Sequence, residues 1–523
     1  MNSPTTTAVS PILIAGRWRS ANGRQTFSAT NPATGAKLEG VYPISDWSDC
    51  EDSLAAAAAA FTSLRSVPAE QIAAFLTRYA DRIEARADEL SAKASEETAL
   101  AVAPRLREVE LPRTVNQLRQ AALAAVNSSW RLPTIDSKAN IRSYLAPLGP
   151  VIVFGPNNFP LAFNGVAGGD FAAAIAPLHP GTSRLLAEEA LGAIQDSGVP
   201  SATVQMLYHL DPHDGERLVA DRRVGAIGFT GGKTSGLKLK AAADRVGKPI
   251  YLELSSINPV IVLPGAIEER AEQIASDFSA SCLMAAGQFC TSPGLLLLIA
   301  SPESDHLIRQ IADKFAATTP GPLLSADVAN TLRTNIARLR ESGAELLIGD
   351  AAAALPGHRH ANTLLRITGQ QFLDQPETFQ TEVFGNASMV VVAKDLAEAV
   401  HVIEHFEGAL TGSIYSQTTG RDDADYAALA DLLRWRVGRL LNDKMPTGVA
   451  VSPAMNHGGP FPATGHPHFT SVGIPASLRR FTMLQCFDNV RADRLPAVLQ
   501  DKSPVSQPWR LIDGLLTQGD VSQ

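Results

Sequence analysis

Cysteine is scarce in this chain, with four in 523 residues: Cys50, Cys282, Cys290 and Cys486. They show no Cys-x-x-Cys spacing and no accompanying histidine cluster. That excludes a disulfide framework, predicts no metal site and fits a reducing compartment. Long apolar runs are also missing. The densest, Leu295 to Ala300, is far too short to cross a bilayer, so no membrane association is expected. Positive charge is not in excess. The net charge of −8 argues against a nucleic-acid groove and suits a soluble protein. The first residues, Met1 to Thr7, lack a basic stretch followed by an apolar one, so the expected location is cytoplasmic. What remains is 45% apolar and 19% charged residues, the balance of a globular protein, over a length that reads as two or three domains.

Short strands and turns are expected over residues 12–40, with Asn31-Pro32-Ala33-Thr34-Gly35 as turn chemistry. Three helices follow, over about 46–64, from near Pro68, and over about 102–126. From Val151 the texture changes. Val151 to Phe154, Thr203 to Tyr208 and Val224 to Phe229 read as strands, and a helix is expected from Gly168 to Ala176. Such alternation predicts a parallel sheet covered by helices, with ligands at the carboxyl ends of its strands. A second unit of the same kind begins near Asn258 and includes the strands Gly294 to Ala300 and Met389 to Ala393. The end of the chain, after about residue 488, is polar and punctuated by proline and reads as a surface tail.

Four groups of residues stand out chemically. Cys290 lies in a polar loop bracketed by Gly287 and Gly294, between an apolar helix and an apolar strand, where reactive groups are often presented. By spacing alone, a nucleophile and a small buried core residue are evenly balanced. Glu253, thirty-seven positions upstream, sits in a strand-like apolar run. Burial there would raise its pKa toward a general base; strand-end capping or a pair with Lys248 is the alternative. Phe154-Gly155-Pro156-Asn157-Asn158 follows a strand directly. There Asn157 reads as a turn residue and Asn158 as a side-chain amide donor for an oxyanion. Phe229-Thr230-Gly231-Gly232-Lys233-Thr234-Ser235-Gly236 is a glycine-rich turn between strand and helix, which suits either a pyrophosphate or plain reversal of the chain.

Taken in order, these groups resemble the aldehyde dehydrogenase superfamily over nearly the whole chain. Asn31 to Gly35 and Thr381-Glu382-Val383-Phe384-Gly385 resemble two further motifs of that family. The branch of 2-oxoglutarate semialdehyde (2,5-dioxovalerate) dehydrogenases is the most similar, through Gly155 to Phe163, Glu253 to Pro259, and His457-Gly458-Gly459-Pro460-Phe461-Pro462-Ala463-Thr464. The resemblance implies an α/β fold of two parallel-sheet, Rossmann-like domains with a small β oligomerisation arm. The cofactor domain would span 1–135 and 149–263, the catalytic domain 264–456, the arm 136–148 and 475–490, and the tail 491–523. It implies NAD or NADP as cofactor, a small aldehyde as substrate, and a homodimer or homotetramer. Cys290 would attack the aldehyde, Asn158 would hold the oxyanion, and Glu253 would activate the water that releases the acid. Phe154, Gly155, Pro156, Phe229, Thr230, Gly231, Gly232, Gly236, Leu254, Glu382 and Phe384 would meet the cofactor. Phe159, Phe163 and Phe289 would line the substrate tunnel or serve as core.

The chain departs from the family pattern at one conspicuous place. Phe171 to Ala176 runs straight into Pro177-Leu178-His179-Pro180-Gly181-Thr182, without the strand and the cofactor-contacting lysine of similar proteins. A strand of the cofactor domain is therefore expected to be missing, and Gly232 replaces a serine. These departures raise a second reading, a cofactor-impaired or non-catalytic homologue kept as a binding or oligomeric subunit. A third, a CoA-acylating enzyme, is disfavoured by Glu253, because a carboxylate base serves hydrolysis.

Overall fold

The computed structural model describes residues 8–168, 179–349, 356–468 and 470–521. The first helix, Trp47–Leu64, starts where the sequence places it because Asp46 accepts from the backbone of Ser48 and Asp49 while the Asp49 side chain returns the bond, a complete capping box. Ala69–Ala85 follows. An additional helix, Ala87–Thr98, then precedes the third expected one. That third helix is not continuous. Ala103 is extended (φ −114, ψ 138) because the residue before Pro104 is pushed out of the helical region, so a widened helical turn, Val102–Glu110, leads into the regular helix Leu111–Val126.

The first sheet holds three parallel strands in the order Ile250–Glu253, Ala226–Thr230, Val151–Phe154. Thr203 to Tyr208 does not join it. Met206 bridges Leu13, Gln205 accepts from the Ala15 N–H at 2.8 Å, and the ladder begins only after it, at His209–Leu210, beside Tyr42–Ser45. An apolar run of strand composition is here buried against the amino-terminal hairpin. Among the described residues no strand separates Val151–Phe154 from the helix Pro180–Ser197; the expected helix Gly168 to Ala176 lies, apart from Gly168, outside them. The buried carboxylate of Glu97 accepts from the N–H groups of Gly181 and Thr182, satisfying the first turn of that helix.

The second sheet has seven strands, in the order Glu345–Ile348, Thr363–Thr368, Ala387–Ala393, Leu295–Ile299, Val260–Val262, Ala409–Tyr415, Val437–Asn442. All pairs are parallel except the first. Leu295, Leu296, Leu297 and Leu298 are fully buried, alternately serving the two faces, as a strand covered by helices on both sides requires. Each such leucine contributes about 1.5–3 kcal/mol relative to an exposed one.

A third sheet pairs Ile141–Pro147 with Thr482–Asp488, antiparallel. The segment read as a surface tail supplies Arg510–Ile512 and Leu515–Thr517 to this sheet, and Leu495, Val498, Leu499 and Ile512 form a core with Ile135 and Tyr144. Its apolar residues are few and widely spaced, yet they converge on one face of the arm. Among the described residues, no helix is long and apolar enough to cross a membrane.

Candidate active site

The carboxyl ends of the first sheet open into a cleft of about 1110 Å³ that runs to Cys290. Phe154, Gly155, Pro156 and Asn158 line it from one strand end, Phe229 to Ser235 from the next, and Glu253 and Leu254 from the third. Glu382 and Phe384 close it from the second unit. Gly236 is not on the wall. It is buried beneath the cleft, where an added Cβ would come within 2.4 Å of Leu254 and 3.0 Å of Phe229.

Cys290 is half-buried and faces this cleft, whereas Cys282 is buried in the core of the second unit. The cysteine loop is tied down from several directions. Asn258 Nδ2 donates to the carbonyls of Cys290 (2.8 Å) and Ser292 (2.9 Å), and Gln288 Oε1 accepts from the Leu324 N–H at 2.8 Å. Gly287 has φ +69 and backs onto the Gly385 carbonyl, so a left-handed residue without a side chain is required where the cysteine loop meets the Glu382–Phe384 loop. Asn158 Nδ2 donates to the Gln288 carbonyl at 2.9 Å, which sets its amide beside the same loop.

Glu253 ends its strand and is 3% exposed. It does not pair with Lys248, whose ammonium donates to the Val224 carbonyl. Its partners come from the loop after the second sheet: His457 Nε2 lies 2.9 Å from Oε1, and Ser471 Oγ donates to Oε2 at 2.8 Å. His457 Nε2 is also 3.4 Å from Cys290 Sγ, and Thr470 Oγ1 accepts from the His457 N–H. The sequence-based expectation for Glu253 is thereby corrected. Burial alone pushes its carboxyl up, but the His457 charge and the hydrogen bonds from His457, Ser471 and Cys290 outweigh it, leaving the group below the usual carboxylate range. The thiol moves the other way: burial, then the adjacent Glu253 charge, hold Cys290 well above an ordinary cysteine. Sulfur, imidazole nitrogen and carboxylate oxygen lie within 4.8 Å of one another, a donor set zinc would also accept, but here direct hydrogen bonds join them.

His457 was present in the sequence only as the first residue of a glycine- and proline-rich motif; its role comes from tertiary placement. The Thr464 bridge to Glu253 and the Leu254 N–H to Ala463 carbonyl bond (2.8 Å) lay this motif against the glutamate strand. Phe159, Phe163 and Phe289 are not on the wall of this nucleotide cleft and form a separate cluster at the cysteine loop. They pack edge to face (5.2 Å and 5.4 Å between centroids) with Ala162 and Val472, and Phe163 approaches the His457 ring at 6.1 Å.

The glycine-rich turn fits a dinucleotide. Gly232 caps the helix Lys233–Asp244 without a side-chain bond, leaving the first N–H groups of the helix at the cleft, and nothing stands within 4 Å of where a Gly232 side chain would begin. Lys233 and Lys238 add positive charge on the wall. On the far side, the Glu382 carboxylate accepts from the Ser256 N–H at 3.3 Å, and desolvation raises its pKa.

A parallel-sheet fold with a long cleft at its strand ends, running to a cysteine and a buried carboxylate, is an α/β architecture suited to a nucleotide cofactor. A sequence profile of the Aldehyde dehydrogenase family matches residues 18–440, and the chain belongs to that family. It is 37% identical to alpha-ketoglutaric semialdehyde dehydrogenase 2 of Azospirillum brasilense, over 96% of this chain and 98% of that protein. It is 35% identical to alpha-ketoglutaric semialdehyde dehydrogenase of Acinetobacter baylyi, over 88% and 90%. Among solved structures it is similar in fold to lactaldehyde dehydrogenase from Escherichia coli, with a TM-score of 0.78 and 21% identity over 92% of this chain and 98% of that one. The protein is therefore an enzyme that oxidises an aldehyde with a nicotinamide cofactor. The non-catalytic reading finds no support.

Proposed function

We propose that this enzyme oxidises 2-oxoglutarate semialdehyde to 2-oxoglutarate, with Cys290, Glu253 and Asn158 as the reacting groups. The observation that carries the chemistry is the contact of Cys290 Sγ, His457 Nε2 and Glu253 Oε1 at the end of the cleft. The substrate name rests on similarity to the two semialdehyde dehydrogenases above.

The thiol is protonated at rest, and its proton leaves to solvent, with the His457 imidazolium beside the sulfur favouring the thiolate and Glu253 left ionised. Once deprotonated, sulfur adds to the aldehyde carbon, and Asn158 Nδ2 together with the Cys290 N–H meets the oxygen that becomes negative. The nicotinamide cofactor, when bound, supplies the hydride acceptor. The oxidised carbon then remains on sulfur as a thioester. Glu253, ionised at neutral pH, takes a proton from water as that water attacks the thioester, freeing the acid and the thiol. Residues that would hold the cofactor are the Phe229–Ser235 turn at the pyrophosphate, Glu382 at a ribose and Phe384 near the ring.

NAD and NADP both suit the cleft: Lys238 favours an extra phosphate, while Lys233 is paired with Glu407 at 3.4 Å and the adenosine-side lysine of similar proteins is absent. A reduced cytoplasm suits an exposed, unpaired Cys486. The strand Thr482–Asp488 forms one edge of its sheet and leaves Leu484 (68%) and Met483 (42%) exposed, which supports pairing with a second copy. Assays of the purified enzyme with 2-oxoglutarate semialdehyde, other semialdehydes and neutral aldehydes, each with NAD and NADP, test the reading. The highest kcat/KM is expected for 2-oxoglutarate semialdehyde, and a clear preference for a neutral aldehyde would overturn it.

A further inference from the structure

Behind the thiol, on the side of the aromatic cluster, three charged groups are sunk into the protein: Arg105, Glu110 and Arg113. Glu110 is fully spoken for. One oxygen accepts from the N–H groups of Leu161 (2.8 Å) and Ala162 (3.0 Å), and the other is paired with Arg105. Arg105 also donates to the Asn158 carbonyl at 3.2 Å. Glu253 is likewise committed to His457 and Ser471. Arg113 is left over. Its Nε and Nη2 are buried with no hydrogen-bond partner, and no ion pair involves it among the described residues.

An unpaired buried guanidinium is costly, because its donors lose water and gain nothing in exchange. The Glu110 and Glu253 charges offset burial only at a distance, and the contacts on the guanidinium itself are aromatic: Arg113 Cζ lies 4.9 Å from the Phe163 ring centroid and 5.8 Å from that of Phe159. Stacking covers the face of the guanidinium and leaves its edge, where the hydrogen-bond donors are, unsatisfied. Arg439, whose charge is also felt by the cysteine, likewise has no carboxylate partner among the described residues. However, its Nη2 already donates to the carbonyls of Pro446 and Gly448, so its fork is largely occupied. Of the two, Arg113 is the vacant anion seat.

Its position suits a substrate whose other end is at Cys290. Phe163 bridges the two, stacked on Arg113 and 6.1 Å from the His457 ring, which itself contacts the Cys290 sulfur. Four carbon–carbon bonds of about 1.5 Å each separate the aldehyde carbon of a five-carbon oxo-acid from its carboxylate carbon, a reach of roughly 5 Å when extended. The Arg113 charge already acts on the Cys290 thiol, lowering its pKa against burial, which places the two side chains near each other.

We propose that Arg113 is the specificity-determining residue of this enzyme, its two free donors receiving the carboxylate of an aldehyde acid while the aldehyde carbon meets Cys290. This rests on the carboxylated-substrate reading above and names the residue that enforces it. A bidentate arginine–carboxylate pair would neutralise the buried charge, and the cluster of Phe159, Phe163 and Phe289 would cover the methylene chain.

The test is kcat/KM of wild type, Arg113→Met and Arg113→Lys with 2-oxoglutarate semialdehyde, succinate semialdehyde and the neutral aldehyde pentanal. Thermal melting and stoichiometric alkylation of Cys290 serve as fold controls. The expected result is a loss on the order of 100-fold for both semialdehydes in Arg113→Met, mostly in KM, with pentanal changed less than about threefold. Arg113→Lys should show a smaller loss of the same selectivity, and serves if the methionine variant does not fold. Equal losses for charged and neutral aldehydes, or none for the charged ones, would overturn the assignment while leaving the proposed activity standing. A wild-type enzyme that prefers pentanal would overturn the carboxylated-substrate reading and this assignment together.

Discussion

His457 Nε2 stands 2.9 Å from Glu253 Oε1, close enough to hold that buried carboxylate ionised, and from the same atom it reaches the Cys290 sulfur at 3.4 Å. A glutamate alone in an apolar strand end would have been pushed toward neutrality. With His457 and Ser471 it is pulled the other way.

Replacing this histidine should therefore affect both halves of the reaction. His457→Ala is expected to lower kcat by about 100-fold, within the range for one positioned acid–base group. Steady-state kinetics on the folded variant check this, and a change within twofold would show that Glu253 works without it.

Neutralising Glu253 should separate the two half-reactions. In Glu253→Gln, a stoichiometric burst of reduced cofactor should survive while steady-state turnover collapses. The same substitution removes the negative charge that raises the Cys290 thiol, so its pKa should fall toward the ordinary value. More thiolate would then exist at any given pH, and alkylation by iodoacetamide should speed up below pH about 9. Peptide mapping distinguishes Cys290 from the exposed Cys486.

Asn158→Ala removes one donor from the oxygen's site. A loss of about 10²–10³ in kcat is expected from steady-state assays, with the fold unaffected because, among the described residues, the side chain makes a single bond, to the Gln288 carbonyl.

Gly287 joins the cysteine loop to the loop of Glu382 and Phe384. Gly287→Ala places a Cβ 2.0 Å from the Gly385 carbonyl oxygen at φ +69. Overpacking and left-handed strain together should cost about 2 kcal/mol or more. Chemical denaturation measures this, and nucleotide affinity should weaken in parallel.

The parts of this molecule that were legible in the sequence are those set by local pattern. Asp46 announces the first helix, and the apolar runs at Val260–Val262 and Leu295–Ile299 are strands because nothing but a covered sheet buries them. Cys290, Glu253 and Asn158 could be singled out from their loops and strand ends, and similarity to a known family ordered them. Residues whose meaning depends on distant partners were not legible. His457 is 204 positions from Glu253, Ser471 is 218, and Arg113 matters only because Glu110 is already paired. Thr203 to Tyr208 has strand composition, but among the described residues it meets the amino-terminal hairpin through the Met206–Leu13 bridge and not the first sheet. The closing segment shows the reverse: sparse apolar residues such as Leu499 and Ile512 find one another only in the folded arm.

The account turns on a covalent bond at one sulfur, and the most direct measurement is mass spectrometry of Glu253→Gln quenched during turnover with 2-oxoglutarate semialdehyde and NAD or NADP. An acyl adduct on the peptide containing Cys290, formed in step with the burst of reduced cofactor and absent from Cys290→Ala, is the predicted result. Reduced cofactor produced without that adduct, at an undiminished rate in Cys290→Ala, would contradict it.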